Sequence, residues 1–293
     1  MTYSLALQEI IRRALDEDLA GGDLTTRSTI ERSTEAKAVA VAKSPLIVSG
    51  IELFGLTFRA LDPGCRVEVL IADGEKAEIG DEIVRVEGNA QALLMAERCA
   101  LNFLQQLSGT ASLTAKYVKA AQGKARIVDT RKTIPGLRAL QRQAVLDGGG
   151  LNHRDQLGSA VMIKDNHIVA AGGILPAVKR ARAAAPHTTR IEVEVTNLIE
   201  VQEALDAGAD ILLLDNMSLP LLQEAIACGK GKAILEVSGG VTLEKIPELA
   251  GSGVDVISVG ALTHSAPAAD ISLRLTLEGN AKHSVSSAET GTR

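Results

Sequence analysis

From residue 126 to residue 260 the chain repeats one pattern: a short apolar run, then a helical segment. The runs are RIVD at 126–129, AVMIK at 160–164, RIEVEV at 190–195, DILLLD at 210–215, AILEVS at 233–238 and DVISVG at 255–260. Between the later runs lie segments of helical periodicity such as 198–207 and 219–228. Strand–helix alternation of this kind requires parallel strands joined by right-handed crossovers. Closed into a ring, such units make a TIM-like barrel; left open, they make a doubly wound sheet. Six clear strands fall short of eight, so the expectation is an incomplete α/β barrel of six or seven strands.

In each run the polar residues gather at the C-terminal end: Asp129 with Arg131 and Lys132, Lys164, Glu194, Asp215, Ser238 with Gly239 and Gly240, and Gly260. Parallel α/β folds bind ligands at that edge of the sheet. Strand 190–195 sharpens the point. If Ile191, Val193 and Val195 face the helices, Glu192 and Glu194 face the barrel interior. Buried acids need partners, and Lys164, Arg131 or a metal ion are the candidates. Glycines ahead of the last helices, at 239–240 and 260, suit backbone N–H cradles for an anion. His264, just past the final glycine, either reaches the site or is structural. Gly148, Gly149 and Gly150 either admit a ligand close to the backbone or form a hinge.

The first hundred residues read differently. Leu7, Ile10, Ile11, Ala14, Leu15 and Leu19 are spaced as one face of a helix over 4–19, which stops at Gly21-Gly22. Strands are expected at 35–43, 66–72 and 82–87, with helices at 51–61 and 90–121, the latter with a break at Ser108-Gly109. This is an antiparallel sheet with helices on one face. Residues 267–277 read as a helix start or as a strand returning to it. The chain therefore divides into a domain at 1–108 to which 267–280 returns, a barrel at 109–266, and a polar tail at 281–293 expected to be disordered.

Composition excludes several classes. A net charge of −5 and 2% aromatic residues argue against a nucleic-acid binder. The three cysteines, Cys65, Cys99 and Cys228, are too sparse for a disulfide framework or a zinc site and suit a reducing compartment. No run of 18 apolar residues occurs, and the N-terminus lacks the cationic and apolar regions of a signal peptide, so a cytoplasmic protein is expected, with no membrane partner. Against this acidic background, Arg131, Lys132, Arg154 and Lys164, with Arg98, supply cations that suit carboxylate or phosphate groups. Glu194 and Asp215 suit ribose hydroxyls or Mg²⁺. Taken alone, these residues point to a transferase or lyase acting on a phosphorylated, carboxylated small molecule.

The motifs D-T-R-K-T-x-P-G-L-R (129–138), G-G-G-x-N-H-R (148–154), I-K-D-N-H (163–167), E-V-E-V (192–195), L-L-D-N (213–216), S-G-G (238–240) and V-G-A-L-T-H-S (259–265) resemble the quinolinate phosphoribosyltransferase family. E-R-x-A-L-N-F-L-Q-x-L-S-G at 97–109 and the stretch Glu17 to Asp23 resemble it too, so the likeness runs from about residue 4 to 275. It implies an N-terminal α/β sandwich domain and a C-terminal incomplete TIM-like barrel. It also implies Mg²⁺-dependent phosphoribosyl transfer from phosphoribosyl pyrophosphate to quinolinate with loss of CO₂, giving nicotinate mononucleotide in NAD biosynthesis. By the same resemblance Arg131, His153, Arg154 and Lys164 line the quinolinate pocket, and Arg98 reaches it from the neighbouring subunit of a homodimer. Lys132 and Lys164 meet phosphoribosyl pyrophosphate. Glu194 and Asp215 hold ribose hydroxyls and Mg²⁺, and Ser238, Gly239, Gly240, Gly260 and His264 hold the 5′-phosphate. Lys132, Lys164, Glu194 and Asp215 are the implied catalytic set. The chain departs from the family pattern at Leu146-Asp147, where a basic and a small residue are usual. Two alternatives stay open: the related molybdenum-transport-associated paralogue, and a non-catalytic phosphate-binding protein on the same barrel.

Overall fold

A computed structural model describes residues 5–277; the tail expected to be disordered lies outside them. The described chain forms two compact units, one built from the residues up to Ser108 together with those from Ala268 on, the other from Gly109 to Pro267.

The first unit opens with α1 (Leu5–Leu19), whose Leu7, Ile11 and Leu15 are buried. A short helix α2 (Leu24–Thr29) follows, capped by Asp23, whose carboxylate accepts the Thr26 N–H at 2.9 Å. Then come β1 (Glu35–Ala42), β2 (Leu46–Ile47), α3 (Ile51–Leu61), β3 (Arg66–Val69), β4 (Lys76–Ala77), β5 (Glu82–Asn89) and α4 (Ala90–Ala121). Strand β12 (Ile271–Leu277) completes an antiparallel sheet of order β12-β1-β5-β3, so the stretch after residue 267 is the returning strand rather than a helix start. The alternation of β1 decides its faces. Ala36, Ala38 and Ala40 are buried with Phe54, Phe58 and Leu93, while Glu35 and Lys37 are exposed. Small residues on the sheet leave room for the two phenylalanine rings, which meet edge to face at 5.0 Å. Helix α4 runs unbroken through Ser108 and Gly109, because the Ser108 hydroxyl is buried and bonded to the Ser49 backbone.

The second unit contains β6 (Arg126–Val128), α5 (Arg138–Asp147), β7 (Val161–Ile163), α6 (Asp165–Ala171), α7 (Ile174–Ala184), β8 (Ile191–Val195), α8 (Leu198–Asp206), β9 (Ile211–Asp215), α9 (Leu219–Gly229), β10 (Ile234–Ser238), α10 (Ile246–Gly251), β11 (Val256–Ser258) and α11 (Ala261–His264). The six strands are parallel, in the order β6-β11-β10-β9-β8-β7. All six apolar runs are strands, and the architecture is the incomplete TIM-like barrel expected. The free edge of β6 is covered by Leu151, which makes a parallel bridge to Val128. Outward side chains such as Ile191, Val193, Val195, Leu212, Leu214, Leu235 and Ile257 form one aliphatic core with the surrounding helices.

The glycine triplet has a packing role that neither reading of the sequence anticipated. A Cβ on Gly148 would run into the Ala111 carbonyl oxygen and lie 2.7 Å from Thr114 Cβ; one on Gly150 would lie 2.7 Å from Thr114 Cγ2. The end of α5 is thus pressed directly onto α4, and only hydrogen fits between. Gly148→Ala is expected to cost about 1–3 kcal/mol through overpacking, read as a lowered midpoint in denaturant unfolding.

Candidate active site

At the C-terminal ends of the second unit's strands lies a cavity of about 570 Å³, within the range of small-molecule sites. Arg131, Lys132, His153, Arg154, Lys164, Glu194, Asp215, Ser238, Gly239 and Gly240 all line it, together with Glu236 and Asn216. Eight motif-derived positions on six separate segments therefore converge on one concave surface with the two glycines.

Arg131 and Lys132 follow β6 on a loop whose backbone is tied down. Lys132 N–H donates to Thr130 Oγ1 at 3.1 Å, and its carbonyl accepts from Thr263 Oγ1 at 2.7 Å. The buried Gln141 holds both sides of this junction, accepting from Ile134 N–H at 2.8 Å and donating to the Thr263 carbonyl at 2.6 Å. Arg138 braces the same loop through Thr133 Oγ1 and the Arg131 and Asp155 carbonyls. Lys164 ends β7 and precedes α6; its backbone N–H is taken by His167 Nδ1 at 3.0 Å, so His167 serves as a cap. The Lys164 ammonium is ion-paired to Glu194.

The acids sit on adjacent strand ends. As the alternation of β8 predicts, Ile191, Val193 and Val195 are fully buried among the helices, and Glu192 and Glu194 take the opposite face. Asp215 ends β9 and accepts from Asn216 Nδ2 at 2.9 Å. Asn216 is left-handed at φ 52°, and its side chain occupies the space a Cβ on Gly239 would need; Gly239 itself has φ 88°. The L-L-D-N and S-G-G motifs therefore interlock. Gly260, just after β11, sits against Lys132 and His264: a Cβ there would lie 3.2 Å from Lys132 Cδ and 3.1 Å from His264 Nε2. His264 is exposed, with Nδ1 2.6 Å from Ser265 Oγ. Arg98 is exposed on α4 and belongs to the first unit.

The electrostatics of the cavity favour anions. Burial, then the nearby Arg131 charge, lower the proton affinity of the Arg154 guanidinium, with Glu192 opposing. Arg131 Nε is buried without a hydrogen-bond partner. The Arg154 guanidinium donates to the Ala160 carbonyl at 3.2 Å and to Met162 Sδ at 3.5 Å. Two guanidiniums with so little acid between them leave donors directed at a ligand.

Beneath them is a cluster that the sequence motifs did not isolate. His153 Nε2 lies 3.4 Å from both Glu192 Oε2 and Glu236 Oε1, and the two glutamates are 2% and 3% exposed. These three are the only trio of metal-ligand residues found close together among the described residues. His153 Nδ1 accepts the Arg154 backbone N–H at 2.7 Å, which confines the ring proton to Nε2. A histidine metal ligand instead uses a bare nitrogen and donates from the other, so in this trio Nε2 turns its N–H toward the two carboxylates at 3.4 Å. Glu236 was legible in retrospect: in 234–238 it alternates with Leu235 and Val237 just as Glu192 does with its neighbours.

Asp129 is a further site residue carrying no role in the motif reading. Wholly buried, it accepts the His153 backbone N–H at 2.6 Å and faces Arg142. Burial pushes its carboxyl up to about 6, against the His153 N–H bond and Arg142. A raised folded-state pKa means the native state holds its proton more tightly than the unfolded chain, so this contribution to stability is present below about pH 4 and lost as pH rises through about 6. Relative to Asp129→Asn, the wild type is expected to lose on the order of 2–3 kcal/mol between pH 4 and 7. Parallel denaturation curves for the two proteins would show it; identical pH dependence would refute it.

Family models described as quinolinate phosphoribosyl transferase, N-terminal domain and C-terminal domain match residues 23–108 and 110–274. The chain is 42% identical to a probable nicotinate-nucleotide pyrophosphorylase [carboxylating] of Bacillus subtilis, covering 93% of this chain and 94% of that protein. It is 41% identical to the nicotinate-nucleotide pyrophosphorylase [carboxylating] of Mycobacterium leprae, covering 92% and 97%. The structure of NadC from Streptococcus pyogenes superposes with a TM-score of 0.89 at 39% identity, over 92% of this chain and 96% of that one. Two family models in register across both units, together with this likeness, show that the chain belongs to the quinolinate phosphoribosyltransferase family.

Proposed function

We propose that the protein is a nicotinate-nucleotide pyrophosphorylase (carboxylating), joining quinolinate to phosphoribosyl pyrophosphate with release of pyrophosphate and CO₂. The observation that carries this reading is the clustering of Arg131, Lys132, Arg154 and Lys164 with Glu194 and Asp215 in one cavity of a chain whose relatives bear that name. Both substrates are polyanions, and the donors of Arg131 and Arg154 suit the two carboxylates of a pyridine dicarboxylate. Lys132 and Lys164 take the phosphoryl oxygens. The backbone around Ser238, Gly239 and Gly240, with Gly260 and His264, receives the 5′-phosphate.

The chemistry needs charge placed where it develops. The pyridine nitrogen attacks the anomeric carbon, and the carbon–oxygen bond to pyrophosphate breaks. The ring becomes cationic, which stabilises the carbanion left when the adjacent carboxylate departs as CO₂, and a proton from water then takes the place of CO₂ on that carbon. In this reading Arg131 and Arg154 hold the dicarboxylate in line with the anomeric carbon, and Lys132 and Lys164 stabilise the leaving pyrophosphate. Glu194 and Asp215 orient the ribose hydroxyls. The same two carboxylates, at the ends of neighbouring strands, are hard oxygen donors of the kind Mg²⁺ uses alongside substrate phosphates. Bound there, the ion would neutralise charge on the pyrophosphate oxygens.

We also propose a cytoplasmic homodimer in which Arg98, exposed on α4, serves the neighbouring subunit's cavity. The family resemblance supports the dimer. The three free thiols, Cys65, Cys99 and Cys228, suit a reducing compartment.

Protein, Mg²⁺, quinolinate and phosphoribosyl pyrophosphate should yield nicotinate mononucleotide and CO₂ in equal amounts. No product from quinolinate would refute the assignment, and turnover of nicotinate instead would redirect it. Arg154→Ala is expected to lower kcat/KM about 10–200-fold, the equivalent of one charged hydrogen bond; an unchanged value removes Arg154 from the site.

A further inference from the structure

Every polar atom of His153 is committed within the protein. Its backbone N–H goes to Asp129 at 2.6 Å and its carbonyl accepts from Arg142 Nη1 at 2.7 Å. Its Nδ1 takes the Arg154 N–H, and its Nε2–H lies between Glu192 and Glu236. The ring thus has no nitrogen left for a ligand, although it lines the cavity. Glu192 Oε1 and Glu236 Oε1 are buried and accept no hydrogen bond, and in Glu236 this is the oxygen that faces Nε2. Two acids at the floor of an anion site oppose binding by their charge alone. They need a role that offsets this.

We propose that Glu192 and Glu236 are positioning residues for Arg154, acting through His153 as a strut. The carboxylates fix the ring by their charge, each 3.4 Å from Nε2, and the fixed ring orients the next peptide through Nδ1. That peptide starts the residue whose guanidinium faces the cavity. The barrel interior supplies rigid anchor points because Glu192 and Glu236 stand on β8 and β10, strands paired on both sides. By contrast, Arg154 lies on the irregular stretch between Leu151 and β7, which has no ladder of its own to hold it. The proposal rests on the functional reading above for the ligand that Arg154 meets.

Charge and positioning predict opposite outcomes. Were the carboxylates only a source of negative field, Glu236→Gln would tighten binding of a dianion and lower KM for quinolinate. As a positioning residue, its loss raises that KM. The expected result for Glu236→Gln and for Glu192→Gln is a 5- to 30-fold rise in KM for quinolinate, with KM for phosphoribosyl pyrophosphate changed less than twofold. In an Arg154→Ala background neither substitution should change KM for quinolinate further. Effects that add in that background, a fall or no change in KM, or equal rises for both substrates overturn the proposal.

A second measurement is independent of turnover. In protein labelled with ¹⁵N-histidine, the His153 signals, identified by their loss in His153→Gln, should show a protonated Nε2 and a bare Nδ1 in the wild type. That pattern should be lost in Glu236→Gln. A proton on Nδ1 in the wild type refutes the strut even if the protein does not turn over quinolinate, and absence of turnover with the expected spectrum refutes only the functional reading. Should Glu192→Gln fail to fold, Glu236→Gln and the wild-type spectrum decide the matter.

Discussion

Charge placed inside the barrel is the constraint around which this unit is arranged. Asp129, Glu192 and Glu236 are each almost wholly buried, and carboxylates in such surroundings are costly unless hydrogen-bonded. The remedy is one residue, His153, whose backbone meets the first and whose ring meets the other two. That arrangement requires the chain between α5 and β7 to dip into the barrel. The dip in turn needs α5 to end close against α4, where Gly148 and Gly150 remove the side chains that would hold them apart. The cations of the cavity, Arg131, Arg154 and Lys164, stand above this acidic floor. The net field of the cavity is set by the balance between the two layers.

A second theme is how firmly the loops are braced. Catalytic side chains on loops are useful only when the loop has few alternatives. Here Gln141, itself fully buried, links the loop after β6 to the segment after β11 by two hydrogen bonds. Arg138 and Arg142 are spent on backbone carbonyls of the site loops, at 131, 153 and 155. Their charge is used for its reach and its several donors rather than for binding a ligand.

Much of this was legible in the sequence, for physical reasons. The strands of the second unit announce themselves because each is a short aliphatic run closed by a polar residue, and the period-two alternation of 190–195 put Glu192 and Glu194 on the inner face correctly. The returning strand at 271–277 could not be told from a helix start, because Ile271, Leu273 and Leu275 alternate for too few residues. The break expected at Ser108-Gly109 does not occur, since tertiary packing outweighs the local helix preference of two residues. Gln141 escaped notice as a site residue because its role depends on a partner far along the chain, Thr263, 122 residues away. Pairings at that range leave no periodic trace.

The returning strand has a consequence for how the protein is made. Strand β12 covers the edge of β1 in the first unit, where Thr276 hydroxyl meets the Lys37 carbonyl 239 residues away in sequence. On a ribosome the first unit must therefore wait, with one edge of its sheet unpaired, until almost the entire chain has emerged. The strands of the second unit mostly pair with sequence neighbours and face no such delay. During synthesis the early sheet would expose unpaired backbone donors and acceptors, an invitation to pairing with another nascent chain. Charged residues along the exposed face of β1, Glu35 and Lys37, are the kind of sequence that discourages it.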